Sequence, residues 1–392
     1  MRVIGLVLLL LCGQAAAQTA SLSGTPEPRK TLDVPLPSPT DHRLFGFGPP
    51  GRLAVAPDGT LIVALSSFEP SFDGILPARS ARIELLAFAP EGASRYRTAL
   101  PVQAGVGKTG FNAESLGVVA YPSGETAVFL SSSNQRMAMP QNERDVTTLF
   151  RVTADGKVRS ATRVAPATSV AGGFYLTRFY IPSPEGGLLV GGGFGADPFN
   201  WWIGAFGADD RRRWQAGPGP GYPEDVYGLA ILADGSVSAI IQEIQQSSSL
   251  SQWYVARFAA DGTPRGRMPF NTLGTSFARL PAYWVSAISG FDTAGPPALV
   301  RLDDQGNVLG RAPWPFDQTR RMIPHGDGIA AVVCADAGPL CFVVRADLDG
   351  KILWRSEPGN VTDIAPTPDG QIAAVIWSAD DFSARLVRFA AP

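Results

Sequence analysis

The sequence contains few of the residues that catalytic triads and metal sites require. Among its 392 residues there are only two histidines, His42 and His325, and three cysteines. A Ser-His-Asp triad needs a histidine beside its nucleophile, and the chain has no G-x-S-x-G segment that would present such a serine. A structural zinc site needs about four Cys or His ligands, and no such cluster occurs. The sequence therefore disfavours both classes of site.

Charged residues are also scarce. They make up 17 % of the chain, and the formal net charge is only −2. A general nucleic-acid-binding protein carries a basic excess, so we expect no nucleic-acid partner. No apolar run is long enough to form a transmembrane helix, so we expect no membrane span.

A short apolar run at the N-terminus is typical of a secretory signal peptide. Arg2 precedes it, and a small-residue segment, Ala15–Ala17, follows it. We expect residues 1–17 to be removed and the protein to be periplasmic or extracellular. A lipid anchor on Cys12 is the alternative, although Leu11 is larger than the residue that lipoprotein signals place before their cysteine.

Gly and Pro are abundant (43 and 34 residues), and many of them lie in a repeated segment. One half of the repeat reads "LAVAPDGTLIVAL" at 53 and "LAILADGSVSAII" at 229, and the other reads "VARFAADGTPR" at 255 and "VRADLDGKILW" at 344. Asp-Gly suits a tight hairpin turn because Gly and Asp tolerate positive φ best. Each unit is therefore predicted to be a meander of four strands. The turns of the second half fall at Gly92, Gly156, Asp210, Gly262, Gly306 and Gly350.

Seven units can be counted, and four strands at this period are typical of a propeller blade. We predict an all-β fold, a seven-bladed β-propeller of four-stranded antiparallel blades spanning residues 50–392. The last unit stops at its third strand, so "KTLDVPL" at 30–36, within an N-terminal lead-in of residues 18–49, is expected to supply the fourth strand and close the ring. A linear solenoid would need capping units, which are not apparent.

The segments "GLAILADGSVSAII" and "DIAPTPDGQIAAVI" resemble the degenerate delta-60 and PQQ-like repeats of bacterial exported propellers. This resemblance covers most of residues 50–392 and implies the propeller fold. The Ala-Trp and Thr-Gly elements that quinoprotein dehydrogenases repeat are absent. We therefore expect no cofactor.

Two other motifs are incomplete, and one cysteine pair is informative. "AGVGKTG" at 104–110 has Val102 where a phosphate-binding P-loop needs glycine. "DLDG" at 347–350 has Arg345 and Ser356 where a calcium loop needs its first and last ligands.

Cys334 and Cys341 flank a six-residue connection between two strand-like segments, and in an oxidising compartment this spacing predicts a disulfide.

The candidate site comes from alignment of the first strand of each unit. Propellers usually bind at the end of the central channel where the innermost strands begin, and four of the seven strands are predicted to begin with an arginine. Guanidinium groups suit carboxylate or phosphate, and a ring of them concentrates the field. Nearby aromatic residues offer stacking surfaces for an acidic sugar or an acidic protein segment. The candidate ligand-binding residues are Arg52, Arg178, Arg279, Arg321, Trp201, Trp202, Tyr222 and Tyr227.

Three carboxylates, Glu114, Asp225 and Asp363, begin the neighbouring units and complete the set of candidate residues. They are expected either to pair with the arginines and join the blades, or to act as acid and base in catalysis. Two functional hypotheses follow. The first is a non-catalytic scaffold that binds a partner protein, an acidic small molecule or an acidic saccharide. The second is a hydrolase or lyase that acts on a saccharide or lactone.

Overall fold

The structure is a computed structural model built almost entirely from strands. It describes residues 24–37, 51–73, 76–101, 111–134, 145–165, 174–195, 200–217, 224–244, 251–270, 274, 276–289, 296–334, 340–377 and 383–392. The predicted signal peptide and the segment 104–110 lie outside these residues. The strands form seven four-stranded antiparallel sheets.

Each sheet is one blade of a propeller, and in six of the seven the strands follow one another in chain order from the innermost to the outermost. Blade 1 consists of β2 (Arg52–Val55), β3 (Leu61–Asp73), β4 (Leu76–Phe88) and β5 (Ser94–Ala99). Blade 2 consists of β6 (Phe111–Ala120), β7 (Thr126–Asn134), β8 (Asp145–Val152) and β9 (Val158–Arg163). Blade 3 consists of β10 (Phe174–Pro182), β11 (Leu188–Gly195), β12 (Asn200–Phe206) and β13 (Arg212–Ala216). Blade 4 consists of β14 (Glu224–Ile231), β15 (Val237–Ile244), β16 (Ser251–Phe258) and β17 (Pro264–Phe270).

The remaining blades show how the ring ends. Blade 5 consists of β18 (Ser276–Arg279), β19 (Trp284–Ile288), β20 (Ala298–Leu302) and β21 (Val308–Pro313). Blade 6 consists of β22 (Gln318–His325), β23 (Gly328–Cys334), β24 (Cys341–Ala346) and β25 (Ile352–Arg355). Blade 7 consists of β26 (Asn360–Pro366), β27 (Ile372–Trp377), β28 (Ala384–Ala390) and, as its outermost strand, β1 (Arg29–Leu36).

The ring is closed, as the repeats predicted. Each innermost strand contacts the innermost strand of the next blade, and the series returns from β26 to β2. β1 pairs with β28 from Arg29↔Ala390 to Leu36↔Ala384, so the first described strand completes the last blade. The seven-bladed all-β fold and its N-terminal closing strand are confirmed. β1 thereby covers the sheet edge that β28 would otherwise expose.

The hydrophobic core is divided into layers between adjacent blades. Successive strand residues point to opposite faces of a sheet, so each blade contributes to two layers. In blade 1, for example, Leu61 and Val63 pack towards blade 7, whereas Ile62 and Ala64 pack towards blade 2. This sharing explains why the central strands are apolar at nearly every position rather than at every second one.

The hairpin turns adopt the conformation that their glycines predicted. Gly92, Gly156, Gly262, Gly306 and Gly350 all have positive φ, and Asp210 takes the same place in blade 3 with φ of 62°. Asp210 is the only non-glycine residue of the described chain with positive φ. The turn chemistry therefore repeats in all six units for which the sequence predicted it.

Cys334 and Cys341 form the predicted pair. Their Sγ atoms lie 2.12 Å apart, and the residues face each other across β23 and β24. The bond spans the end of blade 6 at which β22 begins. In the described part of the chain, no helix is long and apolar enough to cross a membrane.

Candidate functional site

The seven innermost strands surround a central channel with a cavity of about 730 Å³. Residues from all seven of these strands line it. A cavity of this size falls within the range that holds small organic ligands. The fold therefore brings residues that are distant in sequence together in the channel.

The innermost strands direct polar side chains into the channel by means of β-bulges. In β10, β14, β22 and β26 the pairing with the second strand shifts by one residue, in the first half or at the middle of the strand. A bulge leaves one residue unpaired and re-aims its side chain. The four residues at these bulges, all of which line the channel, are Arg178, Tyr227, Arg320 and Thr362.

Two further arginines lie one residue deeper along the strands. Arg52 pairs with the fourth residue of β3, and Arg321 pairs with Val332 in β23. Both side chains line the channel. We call the end of the channel formed by Arg52, Arg178, Tyr227, Arg320 and Arg321 the mouth. Three of the four predicted arginines therefore converge there.

Arg279 lies elsewhere, and its predicted position is wrong. It was expected to begin an innermost strand, but it is the last residue of β18 and pairs with Trp284, the first residue of β19. Ser276 occupies the level at which Arg52 lies in blade 1. The turn after β18 comes immediately after Arg279, so this arginine lies about three residues, or ~10 Å, further along the channel.

Arg178 forms an ion pair with the next blade. Its Nη2 lies 2.7 Å from Oδ2 of Asp225, and its guanidinium carbon lies 5.2 Å from the centre of the Tyr227 ring. Burial raises the pKa of the Asp225 carboxyl, while the Arg178 charge and the backbone N–H of Val226 act in the opposite direction. Asp225 is thus a carboxylate that desolvation makes easier to protonate.

Asp363 joins three blades. One of its carboxylate oxygens accepts a hydrogen bond from the backbone N–H of Leu53 in blade 1, and the other accepts one from Ile364, each at 2.9 Å. Nε of Arg321 in blade 6 lies 2.7 Å from Oδ1 of the same carboxylate. The Asp363 side chain is only 2 % exposed. Its geometry fits the expected role in joining blades, and its oxygens are already occupied.

Arg52 and Arg320 carry positive charge that no carboxylate of the described residues neutralises by an ion pair. Nε of Arg52 donates a hydrogen bond to the carbonyl of Leu116 at 3.1 Å. Within the described residues, neither Arg52 nor Arg320 forms an ion pair with a carboxylate. Burial is the main cause that lowers the pKa of Arg321. The Asp363 charge opposes this shift, and the nearby Arg52 charge adds to it. The mouth therefore contains guanidinium groups that repel one another.

The prediction that Trp201 and Trp202 offer stacking surfaces to a ligand is wrong. Trp202 is fully buried in the layer between blades 2 and 3, and Trp201 is 9 % exposed in the layer between blades 3 and 4. Adjacent strand residues point to opposite faces of a blade that is covered on both sides, so neither ring is available to a ligand. Tyr227 remains at the mouth, whereas Tyr222 lies outside the described residues.

Glu114 lies at the bulge of β6, between Ala113 and Ser115, the same kind of position that Arg178 occupies in β10.

Sequence reasoning overlooked Arg320 and Thr362. The doublet of Arg320 and Arg321 was the available signal, but only the pairing of β22 with β23 shows which arginine lies at the bulge. No group of three His, Cys, Asp or Glu residues in the described chain is placed to hold a metal ion.

Comparisons with known proteins identify the fold. No protein-family model matches the chain, and no curated protein matches it. The β-propeller domain of the Trilobed protease from Pyrococcus furiosus, described as having an open velcro topology, is similar over 88 % of this chain and 96 % of its own, with 9 % identity and a TM-score of 0.52. BBS1N in complex with ARL6DN is similar over 93 % of this chain and 97 % of its own, with 10 % identity and a TM-score of 0.50.

These similarities show the fold. The chain is a β-propeller. Unlike the open topology described for the Pyrococcus domain, this ring is closed by β1.

Proposed function

We propose that this protein is a binding scaffold whose channel mouth takes an anionic ligand or an acidic segment of a partner protein. The observation that carries the proposal is the charge at the mouth. Four arginines converge there, and the two carboxylates that lie within ion-pair distance of them, Asp225 and Asp363, each pair with one arginine. The guanidinium groups of Arg52 and Arg320 therefore have no carboxylate partner among the described residues.

The environment of these groups favours anion binding. Arginine presents planar, bidentate donors that match carboxylate and phosphate oxygens. Protein walls around the channel reduce screening and strengthen the attraction. Tyr227 adds an aromatic face beside Arg178, which suits a ligand with a flat or apolar part next to its charge.

The structural comparison is compatible with a binding role. BBS1N, a chain of similar fold, was crystallised in complex with ARL6DN. Propellers also serve enzymes, and a shared fold does not decide between these roles. The proposal therefore depends on the charge distribution at the mouth.

The test is a titration with galacturonate, phosphate and sulfate, followed by calorimetry and thermal shift. We expect at least one anion to bind and to raise the melting temperature. Replacing Arg52→Gln and Arg320→Gln should each weaken binding about tenfold or more, because a hydrogen bond to a charged group contributes ~1.5–3 kcal/mol.

The control variant is Arg29→Gln, since Arg29 is exposed on β1, the outermost strand of blade 7. It removes the same charge but should leave affinity unchanged. The proposal fails if none of the three anions binds, or if Arg29→Gln weakens binding as much as the two mouth variants do.

One observation favours the second candidate function, a hydrolase or lyase. Asp225, whose pKa is raised by burial, lies beside Arg178 at the mouth and has the character of a general acid. Saccharides or lactones that are cleaved at a rate abolished by Asp225→Asn would establish this function. The same variant should retain anion binding if the protein is only a scaffold.

A further inference from the structure

Arg279 creates a second cationic position at the other end of the channel from the mouth. It shares one carboxylate, Asp304, with Arg257: Nη2 of Arg279 donates a hydrogen bond to Oδ2 at 3.2 Å, and Nη1 of Arg257 donates one to the same oxygen at 3.3 Å. Two guanidinium groups thus face a single aspartate. The cluster retains an excess of one positive charge.

The donors of Arg279 are incompletely used. Its side chain is only 11 % exposed, and both of its terminal nitrogens contact the Asp304 carboxylate, with Nη1 3.2 Å from Oδ1. Its Nε makes no hydrogen bond within the described part of the chain. A buried guanidinium with an unused donor is costly unless a partner satisfies it. Arg279 also lines the channel, so a bound molecule can reach it from the cavity.

The wall between the two cationic positions is mainly apolar. Ile181, Ile231 and Ile323 line the channel on the turn side of the mouth and are half-buried. Leu229 and Met322 add apolar surface at the level just below the mouth. Covering such a wall with an apolar part of a ligand removes apolar surface from water and so favours binding.

We propose that the channel takes an elongated dianion with an apolar centre, one anionic group held at the mouth and the other at Arg279. The two levels lie three strand residues apart, or about 10 Å. This inference rests on the proposed anion-binding function of the mouth and adds the length, the second charge and the apolar middle of the ligand. A cavity of about 730 Å³ has room for such a molecule.

The experiment measures the binding of straight-chain α,ω-dicarboxylates, from butanedioate to dodecanedioate, with octanoate as the monoanion. We expect affinity to peak at the length whose two extended carboxylates lie about 10 Å apart, about tenfold or more above octanoate. An acetylated and amidated Glu-Leu-Leu-Glu peptide places the same chemistry in a protein segment. Whichever of the two probes binds more tightly identifies the kind of ligand.

Two variants test the role of Arg279. Arg279→Gln should lower the affinity of the best dicarboxylate to that of octanoate. Asp304→Asn leaves both arginines in place but removes their shared carboxylate, so it should raise the affinity of the long dianion. The cooperative thermal unfolding of each variant checks that the ring is intact.

Failure of this inference differs from failure of the proposed function. If octanoate and all the dicarboxylates bind equally, and Arg279→Gln changes nothing, the mouth binds anions but Arg279 does not take part. If no carboxylate binds at all, both the inference and the proposed function are wrong. A length optimum that persists in Arg279→Gln also overturns the inference.

Discussion

Two arginines on third strands, Arg151 and Arg345, pair with carboxylates of the turns. Arg151 Nε lies 2.6 Å from Asp210, and Arg345 Nη2 lies 2.6 Å from Asp327. Arg151 is fully buried and also donates to the carbonyls of Gly186 and Gly207 in blade 3. These two arginines join strands and blades. Arg178 and Arg321, on innermost strands, also join blades and in addition line the channel.

At the residue scale, anion binding at the mouth should depend on pH through Asp225. Because burial raises the pKa of this carboxyl, it takes up a proton at a higher pH than an ordinary aspartate. Protonation would release Arg178 from its ion pair and add a free guanidinium to the mouth. The affinity for sulfate, which keeps its charge throughout, should therefore rise as the pH falls from neutral through the Asp225 pKa.

Calorimetric titrations with sulfate at several pH values would measure this effect. Asp225→Asn should bind sulfate more tightly at neutral pH and should lose the pH dependence. Asp58→Asn is the control, because Asp58 lies in a turn outside the channel and its pKa is lowered to about 2, chiefly by hydrogen bonds from Thr60. If the pH dependence persists in Asp225→Asn, another group is responsible.

At the element scale, the closing strand β1 is held by residues from both ends of the chain. Its backbone pairs with β28, and its apolar residues Leu32 and Leu36 pack in one layer with Leu86 and Phe88 of blade 1. β1 therefore covers the edge of blade 7 and also contributes to the layer between blades 7 and 1. Both contributions depend on a strand that is distant in sequence from the rest of its sheet.

A chain that begins at residue 38 should be less stable than one that begins at residue 24. Removal of β1 exposes the edge of β28 and loses the burial of two leucines, each contributing ~1.5–3 kcal/mol. We expect a loss of more than about 3 kcal/mol in the free energy of unfolding, measured with urea. A peptide of residues 24–37 added in trans should restore part of this loss. Equal stability of the two chains would show that β1 does not hold the ring together.

At the scale of the whole molecule, ring closure depends on buried polar contacts as well as on apolar layers. Asp363 is the clearest case, because it joins the innermost strands of blades 6, 7 and 1 at the point where the two ends of the propeller meet. The backbone N–H groups of Leu53 and Ile364 and the charge of Arg321 take the place of the water that this buried carboxylate loses. This contact also restrains Arg321 at the mouth.

Asp363→Asn should destabilise the entire ring. An amide can accept at only one of its two positions, so one buried N–H loses its acceptor and Arg321 loses its counter-charge. Removing one partner of a buried ion pair typically costs on the order of 3 kcal/mol or more. Urea unfolding of this variant should show a single cooperative transition at lower urea concentration.

Asp33→Asn provides the matched control. Asp33 pairs with Arg385 at 2.6 Å in the same blade, but both side chains are partly exposed to solvent, unlike that of Asp363. Exposed ion pairs contribute less than about 1 kcal/mol. Similar losses of stability in the two variants would contradict the special role assigned to Asp363.

The fold could be predicted because its signals are local and repeated. A single turn such as that at Gly350 is weak information, but similar turns in successive units leave few alternatives to a ring of blades. The site was harder to predict. Arg52 and Arg279 look alike in sequence, since both lie beside a short apolar strand, but one begins its strand and the other ends it.

The sequence by itself determined the number of blades, the strand order within each blade and the disulfide pair, because turn chemistry and the alternation of apolar residues act over short distances. Only the tertiary structure decided which side chains meet in the channel. One-residue bulges aimed Arg178, Arg320 and Thr362 into it, and blade-to-blade packing buried Trp201 and Trp202. A shift of one residue reverses the direction of a side chain, and that shift is fixed by pairing with a neighbouring strand rather than by the local sequence.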